Sequence, residues 1–343
     1  MNKSFFHQKF SINEREIGKG CPVFLIAEAG VAHFGSLEKA KQLVDLAVAA
    51  RADAVKFQIF KTDELVAIEC EEWQNRLRSK EIPFESFRDI QTYCNEKGIL
   101  FLATAHDEPS LEFLETIDVP AYKIGSGEVK NWAFIEKIAS RKKPVFLSTG
   151  MFTLDEVGVA LGYIRKAGNS DVAVLHCVTS YPTLPTDVNL RAMDTIRDTY
   201  GTIVGYSDHT QGSHFALAAV ARDACVIEKH ITMDFNIPDA QDWKVSCGPG
   251  DFPIMVKQIR EIEAGLGTGM KAPCKDELLS LEWARKSLVA TADIMQGDVI
   301  TTEKLCAKRP GIGIEPAEMG KIVGKRAKVN IEAGTLIRWE QLN

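Results

Sequence analysis

The segments TIVGYSDHT (residues 202–210) and ACVIEKHIT (residues 224–232) share one pattern. In each, a short apolar run typical of a buried strand leads to a histidine that stands beside an acidic residue and a hydroxyl or a lysine. Neighbouring strand ends can bring two such imidazoles together, so His209 and His230 are predicted to share a divalent metal. The alternative for either histidine is a core residue whose ring is satisfied by backbone carbonyls.

The composition limits the class of protein. A chain of 343 residues is long enough for a large core and more than one domain. Its net charge of -6, without a lysine–arginine run, argues against nucleic-acid binding. No apolar stretch is long enough for a membrane span, and the first residues lack the apolar core of a signal peptide. Eight cysteines without a Cys-x-x-Cys pair indicate reduced thiols, so a cytoplasmic location is expected.

From Pro22 onward, short apolar runs alternate with amphipathic stretches, after a polar segment (residues 1–20) expected to form a short antiparallel cover. The predicted strands are 23–28, 53–58, 99–103, 120–124, 144–148, 172–176, 202–206 and 224–229. The predicted helices are 36–50, 84–97, 108–116, 131–140, 153–167, 188–199, 212–222 and 251–265. Ser36 is a plausible N-cap for the first helix. Eight almost continuously apolar strands alternating with helices favour a parallel TIM (β/α)8 barrel over an open, doubly wound sheet.

Polar, reactive side chains stand at the carboxyl ends of nearly all the predicted strands. They are Glu28, Lys56, Gln58, Thr104, Lys123, Ser126, Glu128, Ser148, Thr149, His176, Ser207, His209, Glu228 and His230. In a barrel these ends converge on one mouth, where the active sites of this fold lie. An open sheet gives no reason for polar residues at every strand end, which favours the barrel.

The chemistry of the mouth suits an anionic metabolite and a metal. The lysines and hydroxyls, with Ser207 and Lys229 beside the histidines, could hold a phosphate or carboxylate, and the Gly125-Ser126-Gly127 turn offers backbone N–H groups. Lys123 stands in an apolar strand, where an unpaired ammonium would be unstable.

The predicted metal site uses nitrogen and oxygen ligands. His209 and His230, with Glu228 or Asp242, would accept Mn²⁺, Mg²⁺, Co²⁺ or Zn²⁺. Glu28 and Glu128 are candidates for general acid–base catalysis. The residues alone therefore predict metal-assisted activation of a carbonyl next to a phosphorylated small molecule.

The last part of the chain lacks the alternation of strands and helices. Residues 266–282 read as a linker between a barrel domain (1–265) and a small β-rich domain (283–343). Short β-like segments are predicted at 287–291, 299–301, 328–331 and 336–338. The pattern Ile-x-x-Gly-x-x-Ile-x-x-x-x-Leu occurs twice, at 294–305 and 331–342, which suggests two half-copies. The turn at 308–313 carries an exposed Arg309.

At this point the sequence resembles the sialic acid synthases, including legionaminate and pseudaminate synthases and spore coat polysaccharide biosynthesis protein E-like members. The matching segments are IAEAG (26–30), DAVKFQ (53–58), AYKIGSGE (121–128), LSTGM (147–151), LHC (175–177), YPT (181–183), GYSDHT (205–210), EKH (228–230) and KRPG (308–311). The resemblance runs from about residue 10 to the end, and the tail resembles the family's antifreeze-like (SAF, β-clip) domain.

The resemblance implies a transferase that condenses phosphoenolpyruvate with an N-acetylated hexosamine and releases phosphate by C–O cleavage. It implies a divalent metal, first Mn²⁺ and alternatively Mg²⁺ or Co²⁺, on His209 and His230. Residues implied to bind phosphoenolpyruvate are Lys56, Thr104, Lys123, Ser126, Ser148, Thr179 and Ser207. Residues implied to bind the sugar are Gln58, Tyr181, Asp242 and Arg309. Glu28 and Glu128 would act near the sugar aldehyde and the attacking water.

The resemblance also implies a domain-swapped homodimer in which Arg309 touches the N-acyl group of the sugar in the partner's barrel. Three places depart from the family pattern: Ala32-His33-Phe34-Gly35, Thr104-Ala105-His106, and Ala240-Gln241-Asp242-Trp243, where Asp239 is the alternative to Asp242. The resemblance thus keeps the phosphoenolpyruvate and metal positions, whereas positions near the acceptor sugar differ, so the acceptor need not be N-acetylmannosamine. The other readings are a Kdo-phosphate or DAHP-type synthase and a non-catalytic carbohydrate-binding barrel.

Overall fold

The computed structural model describes residues 5–237, 240 and 242–343, so Asp239 lies outside the described residues. The chain divides into two compact units, Met1–Gly267 and Thr268–Asn343. Among the helices of the described residues, none combines the length and the apolar character needed to cross a lipid bilayer.

A short hairpin precedes the barrel, as expected for the polar start of the chain. Strands β1 (Lys9–Ile12) and β2 (Arg15–Gly18) pair in antiparallel fashion. Phe10, Ile12 and Ile17 turn inward and join the apolar cluster that fills the lower part of the barrel. Each hairpin side chain that reaches this cluster is buried, so the hairpin closes the amino-terminal end of the barrel.

The predicted barrel is confirmed: eight parallel strands close into one sheet in chain order. They are β3 (Phe24–Gly30), β4 (Ala54–Ile59), β5 (Leu100–Ala105), β6 (Tyr122–Ile124), β7 (Val145–Ser148), β8 (Val172–Cys177), β9 (Ile203–Asp208) and β10 (Val226–His230). Strand β10 pairs with both β9 and β3, which completes the circle. The predicted strands match these bounds within two residues at either end.

The helices surround the barrel and cover the outward faces of its strands. They are α1 (Leu37–Ala49), α2 (Thr62–Leu65), α3 (Glu71–Arg78), α4 (Phe84–Lys97), α5 (Glu108–Thr116), α6 (Trp132–Ala139), α7 (Leu154–Lys166), α8 (Arg191–Tyr200), α9 (His214–Ala221) and α10 (Phe252–Leu266). Ser36 caps α1 as predicted, its hydroxyl accepting from the Lys39 N–H. Helices α2 and α3 were not predicted, because α3 is highly charged and buries only Gln74.

Successive side chains of each strand alternate between the inside of the barrel and the helix layer. On β5, Leu102 belongs to the inner apolar cluster, whereas Phe101 and Ala103 pack outward. Thr104, two residues beyond Leu102, reaches the mouth. Whether the odd or the even residues of a strand point inward, which we call the phase of the strand, decides which strand-end residues can contact a ligand.

The C-terminal unit has its own core. It contains α11 (Lys275–Ala284), β11 (Ser287–Ala290), β12 (Leu305–Lys308) and α12 (Met319–Ile322). The repeated pattern is explained by this core, because its six isoleucines and leucines are all buried there: Ile294, Ile300, Leu305, Ile331, Ile337 and Leu342. Ile294 and Ile331 exchange backbone hydrogen bonds of 2.9 and 2.8 Å.

Two sequence predictions for this unit differ from the structure. Helix α11 occupies the second half of the predicted 266–282 linker. The predicted segments 299–301, 328–331 and 336–338 contribute isolated bridges rather than strands. Each of these segments contributes single apolar residues to the small core. A core of this size can be filled without further continuous strands.

Candidate active site at the mouth of the barrel

One cavity at the carboxyl ends of the strands collects all but two of the predicted site residues. The predicted residues that line it are Glu28, Lys56, Gln58, Thr104, Lys123, Ser126, Ser148, Thr179, Tyr181, Ser207, His209, His230 and Asp242. They come from all eight strands or from the turns that follow them. The convergence predicted from the strand ends is therefore what the barrel produces.

Four charged side chains form the floor of the cavity. The Lys56 ammonium lies 2.6 Å from a Glu28 carboxylate oxygen and 3.6 Å from Glu228. The Lys123 ammonium lies 3.6 Å from the other Glu228 oxygen. All four side chains are buried, at most 5% exposed. Buried charges require partners, and here two cations are balanced by two anions in a low-dielectric site.

The two glutamates of the floor differ in their affinity for protons. Burial raises the pKa of Glu28, and the neighbouring Glu228 adds to this against the opposing effect of Lys56. Burial also acts on Glu228, but Lys123, Lys56 and the Ser207 hydroxyl outweigh it and hold its pKa at about 2. Glu228 is therefore ionised, and Glu28 is the carboxyl of the two that is more readily protonated. Two carboxyls whose pKa values are pushed apart are typical of acid–base sites.

The hydroxyl groups around the floor fall into two kinds. Ser207 donates to Glu228 at 2.8 Å, and Lys56 donates to the Thr104 hydroxyl at 3.1 Å. Ser126 accepts from the Gly150 N–H at 2.9 Å. The buried Ser148 hydroxyl has no hydrogen-bond partner among the described residues. A buried hydroxyl that faces a cavity without a partner indicates a place for a ligand oxygen.

The two predicted metal-binding histidines lie together above the floor. The ring centroids of His209 and His230 are 5.3 Å apart. His209 donates from Nδ1 to the Val178 carbonyl at 2.8 Å, and its Nε2 lies 3.1 Å from the Tyr181 hydroxyl. Burial lowers the pKa of His230 to about 3, so that ring is neutral. Burial acts in the same direction on His209, but the Cys177 thiol beside it raises its pKa.

This pair supplies two nitrogen ligands with defined orientations, which suits a divalent cation. Within the residues that the structure describes, no group of three or more His, Cys, Asp or Glu side chains is arranged around a metal position. A metal held by His209 and His230 would therefore keep open positions for water or substrate, as catalytic metal sites do.

The rim of the cavity is formed by amphipathic side chains. Gln58 donates to Glu28 at 3.1 Å, and the Tyr181 ring packs at a tilt against His209 with centroids 4.2 Å apart. Asp242 also lines the rim. These groups offer hydrogen bonds and an aromatic face, which suit a polar ligand with apolar patches such as a sugar derivative.

Two predicted residues lie outside this cavity. Glu128 is buried beside it and accepts a hydrogen bond from Asn131 at 2.7 Å, and burial raises its pKa. Arg309 belongs to the C-terminal unit, where it donates to the Ala284 carbonyl and stacks over the Trp283 ring. The catalytic role of Glu128 and the sugar contact of Arg309 remain predictions.

Three further residues that the sequence analysis placed at the mouth do not line it. His176 turns outward and donates to the Val188 carbonyl at 2.7 Å, so Cys177 takes the inward place on β8. Thr149 donates to the Leu175 carbonyl at 3.0 Å. Lys229 is fully buried on the outer face of β10, paired with Asp208 at 3.0 Å, and cannot hold an anion beside the histidines. In each case the sequence did not reveal the phase of the strand.

Two residues of the cavity were not predicted as site residues, namely His106 and Cys177. His106 stands two positions after Thr104, and this spacing on an alternating strand was a usable signal. Cys177 lies next to His176, and only the phase of β8 distinguishes them.

Comparisons with known proteins find relatives that match along most of the chain. A family model described as the NeuB family matches residues 43–271, and a SAF domain model matches residues 285–343. The N,N'-diacetyllegionaminic acid synthase of Legionella pneumophila is 41% identical over 342 residues, covering 95% of this chain and 96% of that protein.

Two crystal structures show the same architecture. The N-acetylneuraminic acid synthetase of Leptospira borgpetersenii is 35% identical with a TM-score of 0.75, over 80% of this chain and 95% of that one. The spore coat polysaccharide biosynthesis protein spsE of Bacillus subtilis is 32% identical with a TM-score of 0.68, over 98% of this chain and 99% of that one. The resemblance found in the motifs thus extends along both units.

Proposed function

The chain belongs to the NeuB family and ends in a SAF domain, and on that premise we propose that it condenses phosphoenolpyruvate with an N-acetylated hexosamine. The product would be a nonulosonic, sialic-type acid, and phosphate would leave by cleavage of its C–O bond. The observation that carries the proposal is the buried floor of two lysines and two glutamates directly beneath the histidine pair.

The floor suits the two anionic groups of phosphoenolpyruvate. Lys56 and Lys123 bring two ammonium groups into a buried site, where charge-assisted hydrogen bonds are strong. The Ser148 hydroxyl, which has no partner in the described part of the chain, and the Thr104 hydroxyl supply further donors. An incoming phosphate would compete with Glu28 and Glu228 for the lysines, so binding would release Glu28 from its ion pair.

A divalent metal on His209 and His230 is part of the proposal. Each ring has a nitrogen available to such an ion: Nδ1 of His209 is hydrogen-bonded to the Val178 carbonyl, which leaves Nε2 for the metal, and His230 is neutral. When bound there, such an ion would polarise the aldehyde of the open-chain sugar. Mn²⁺ is the ion to test first, with Mg²⁺ and Co²⁺ as alternatives. Tyr181 would give up its contact with Nε2 and turn toward the sugar.

Carboxyl groups of the protein would transfer the protons of the reaction. A carbon–carbon bond forms between C3 of phosphoenolpyruvate and the aldehyde carbon, water adds to C2, and the C2–O bond to phosphate breaks. Glu28 takes up a proton more readily than Glu228 and lies beside Gln58 at the entrance to the floor. Glu28 is therefore suited to give a proton to the aldehyde oxygen or to take one from the attacking water.

The acceptor sugar would bind at the rim, against Gln58, Tyr181 and Asp242. The relative from Legionella pneumophila is named as a synthase of a diacetylated acid, so 2,4-diacetamido hexoses belong in the test beside N-acetylmannosamine. We also propose a homodimer in which Arg309 reaches the sugar bound by the partner subunit. Helix α11 buries none of its residues and exposes Leu279 and Trp283, which supports a partner surface on this unit.

The decisive experiment is phosphate release from phosphoenolpyruvate across a panel of N-acetylated hexosamines, with Mn²⁺ and with EDTA. Release that depends on both the metal and one acceptor is expected, and it identifies the substrate. Folded, metal-loaded protein that binds sugar without releasing phosphate would instead support the non-catalytic carbohydrate-binding alternative.

The panel also separates the other synthase readings. Kdo-phosphate and DAHP-type synthases use phosphorylated sugars, so erythrose 4-phosphate and arabinose 5-phosphate serve as controls. Release with a phosphorylated sugar alone would refute the proposed acceptor class. The match of residues 285–343 to the SAF domain counts against a Kdo-phosphate or DAHP-type synthase.

A further inference from the structure

His106 is a cavity residue to which the proposed mechanism gives no task. It follows β5, where its backbone N–H donates to the Ile59 carbonyl at 3.1 Å. Because side chains alternate, the series Leu102, Thr104, His106 places its ring inside the mouth, one step above Thr104. A methyl group at Gly125 would lie 3.6 Å from the His106 Cε1 atom, so the ring lies close to the Gly-Ser-Gly turn.

The ring stands between the two lysines of the floor. Strand β5 lies between β4, which carries Lys56, and β6, which carries Lys123. Thr104, directly below His106, accepts from Lys56 and pairs in register with Lys123. Strand β9 with His209 lies four strands away around the eight-stranded barrel, on the opposite wall. His106 therefore belongs to the lysine side of the mouth and not to the histidine pair.

The imidazole is neutral, and its ring nitrogens have no hydrogen-bond partner among the described residues. Burial, with added repulsion from Lys56 and Lys123, lowers the pKa of His106 to about 4. Across the described residues, no hydrogen bond or ion pair involves its ring nitrogens, although the ring is half-buried and faces the cavity. A neutral imidazole has one N–H donor and one acceptor. Beside two ammonium groups the expected ligand is an anion, and an anion uses the donor.

We infer that His106 donates a hydrogen bond to the phosphate group that Lys56 and Lys123 attract, and so adds a neutral donor to the phosphoenolpyruvate site. This inference rests on the proposed function. A neutral donor differs from a third cation in one useful way. It orients the phosphate without adding charge, so it does not strengthen the electrostatic hold on the departing phosphate as an ammonium would.

The test uses a donor-free ring, a donor-bearing substitute and a matched control. His106→Phe keeps a ring against Gly125 and removes the donor, whereas His106→Gln keeps an N–H group. His33→Phe is the control, because His33 is also a buried histidine with a pKa of about 4 but does not line the cavity. Calorimetry of the full-length protein gives Kd for phosphoenolpyruvate and for inorganic phosphate, and initial rates give KM for both substrates.

His106→Phe should raise Kd and KM for phosphoenolpyruvate about tenfold or more, the usual effect of losing a hydrogen bond to a charged group. The affinity for inorganic phosphate should fall by a similar factor, and the KM for the acceptor should stay within about twofold of the value for the unaltered protein. His106→Gln should recover most of the affinity, and His33→Phe should match the unaltered protein. If His106→Phe does not fold, His106→Met serves as the donor-free variant.

Several outcomes would overturn the inference. Unchanged affinity for both anions in the donor-free variant would do so, and so would an effect confined to the acceptor KM. Equal losses in the Gln and Phe variants would mean that ring shape matters and not the donor. Failure of the proposed function looks different, since unaltered protein would then release no phosphate with any acceptor, while calorimetry would still decide the role of His106.

Discussion

Replacing Lys229 with methionine should destabilise the protein strongly, because this lysine is one half of a buried ion pair behind the site. Its ammonium donates to Asp208 at 3.0 Å and to the Thr210 carbonyl at 2.6 Å. Both side chains of the pair are 0% exposed. The pair joins the ends of β9 and β10 immediately before His209 and His230, on the face opposite to the cavity.

The size of the effect follows from what the substitution leaves behind. Asp208 would keep its bonds from the Thr210 N–H and hydroxyl, both 2.8 Å, and from the Tyr206 hydroxyl. Its charge, however, would remain buried without a counter-ion, which typically destabilises by about 3–5 kcal/mol. The Thr210 carbonyl would lose a charged donor, a further ~1 kcal/mol. The double variant Asp208→Asn/Lys229→Met carries no orphaned charge and should recover more than half of the loss.

The assay is urea unfolding at neutral pH, combined with Mn²⁺ binding followed by electron paramagnetic resonance. Lys39→Met is the matched control, because Lys39 and Asp234 also lie 3.0 Å apart but on the surface, where such pairs contribute about 0–1 kcal/mol. Weaker Mn²⁺ binding is expected in Lys229→Met, because the two strand ends lose the tie that fixes the histidines. A loss of stability no larger than that of Lys39→Met would refute the reasoning.

Three further predictions concern the sugar, the pH and the phosphate site. Arg309→Ala should raise the acceptor KM far more than the phosphoenolpyruvate KM in steady-state assays, with Arg309→Lys between, because a contact with the N-acyl group serves the sugar alone; equal effects on both would exclude that contact. Burial lowers the pKa of His33 to about 4 from 6.5, so the folded state binds fewer protons than the unfolded state. His33 should therefore lower the stability measured by urea unfolding between about pH 6.5 and pH 4, by up to about 3 kcal/mol. His33→Phe should remove this contribution and leave the part due to other histidines whose pKa is lowered, such as His106. Gly150→Ala should weaken phosphoenolpyruvate binding in calorimetry, because its new methyl group would meet Thr179 and Ser126; unchanged binding would show that the turn can shift freely.

The barrel was predictable from the sequence because its signal is repeated eight times. Each parallel strand is apolar on both faces, and each ends in polar residues, so both the fold and the mouth follow from periodicity. The same two-sided burial hides the phase of a strand. His176 was therefore expected in the cavity and Cys177 was not, although they are neighbours in the sequence.

The helices that the sequence analysis did not predict include two with few or no buried residues. Helix α3 is short and charged and buries only Gln74, and α11 buries none of its residues, so neither has the stripe of apolar residues by which the other helices were predicted. Lys229 was expected to hold an anion because its sequence neighbours are Glu228 and His230. Only the tertiary structure reveals that Asp208 already neutralises it on the other side of the strand.

The hairpin at the start of the chain has a kinetic consequence. Since Phe10, Ile12 and Ile17 close the lower end of the barrel, the route to Lys56 on the floor passes Gln58 and Tyr181 at the rim. A ligand of the floor must therefore bind before the sugar occupies the rim. It can dissociate only after the rim is free again. The proposed reaction would thus have a compulsory order, with phosphoenolpyruvate entering first and phosphate leaving last. Inorganic phosphate would then inhibit competitively against phosphoenolpyruvate and non-competitively against the sugar.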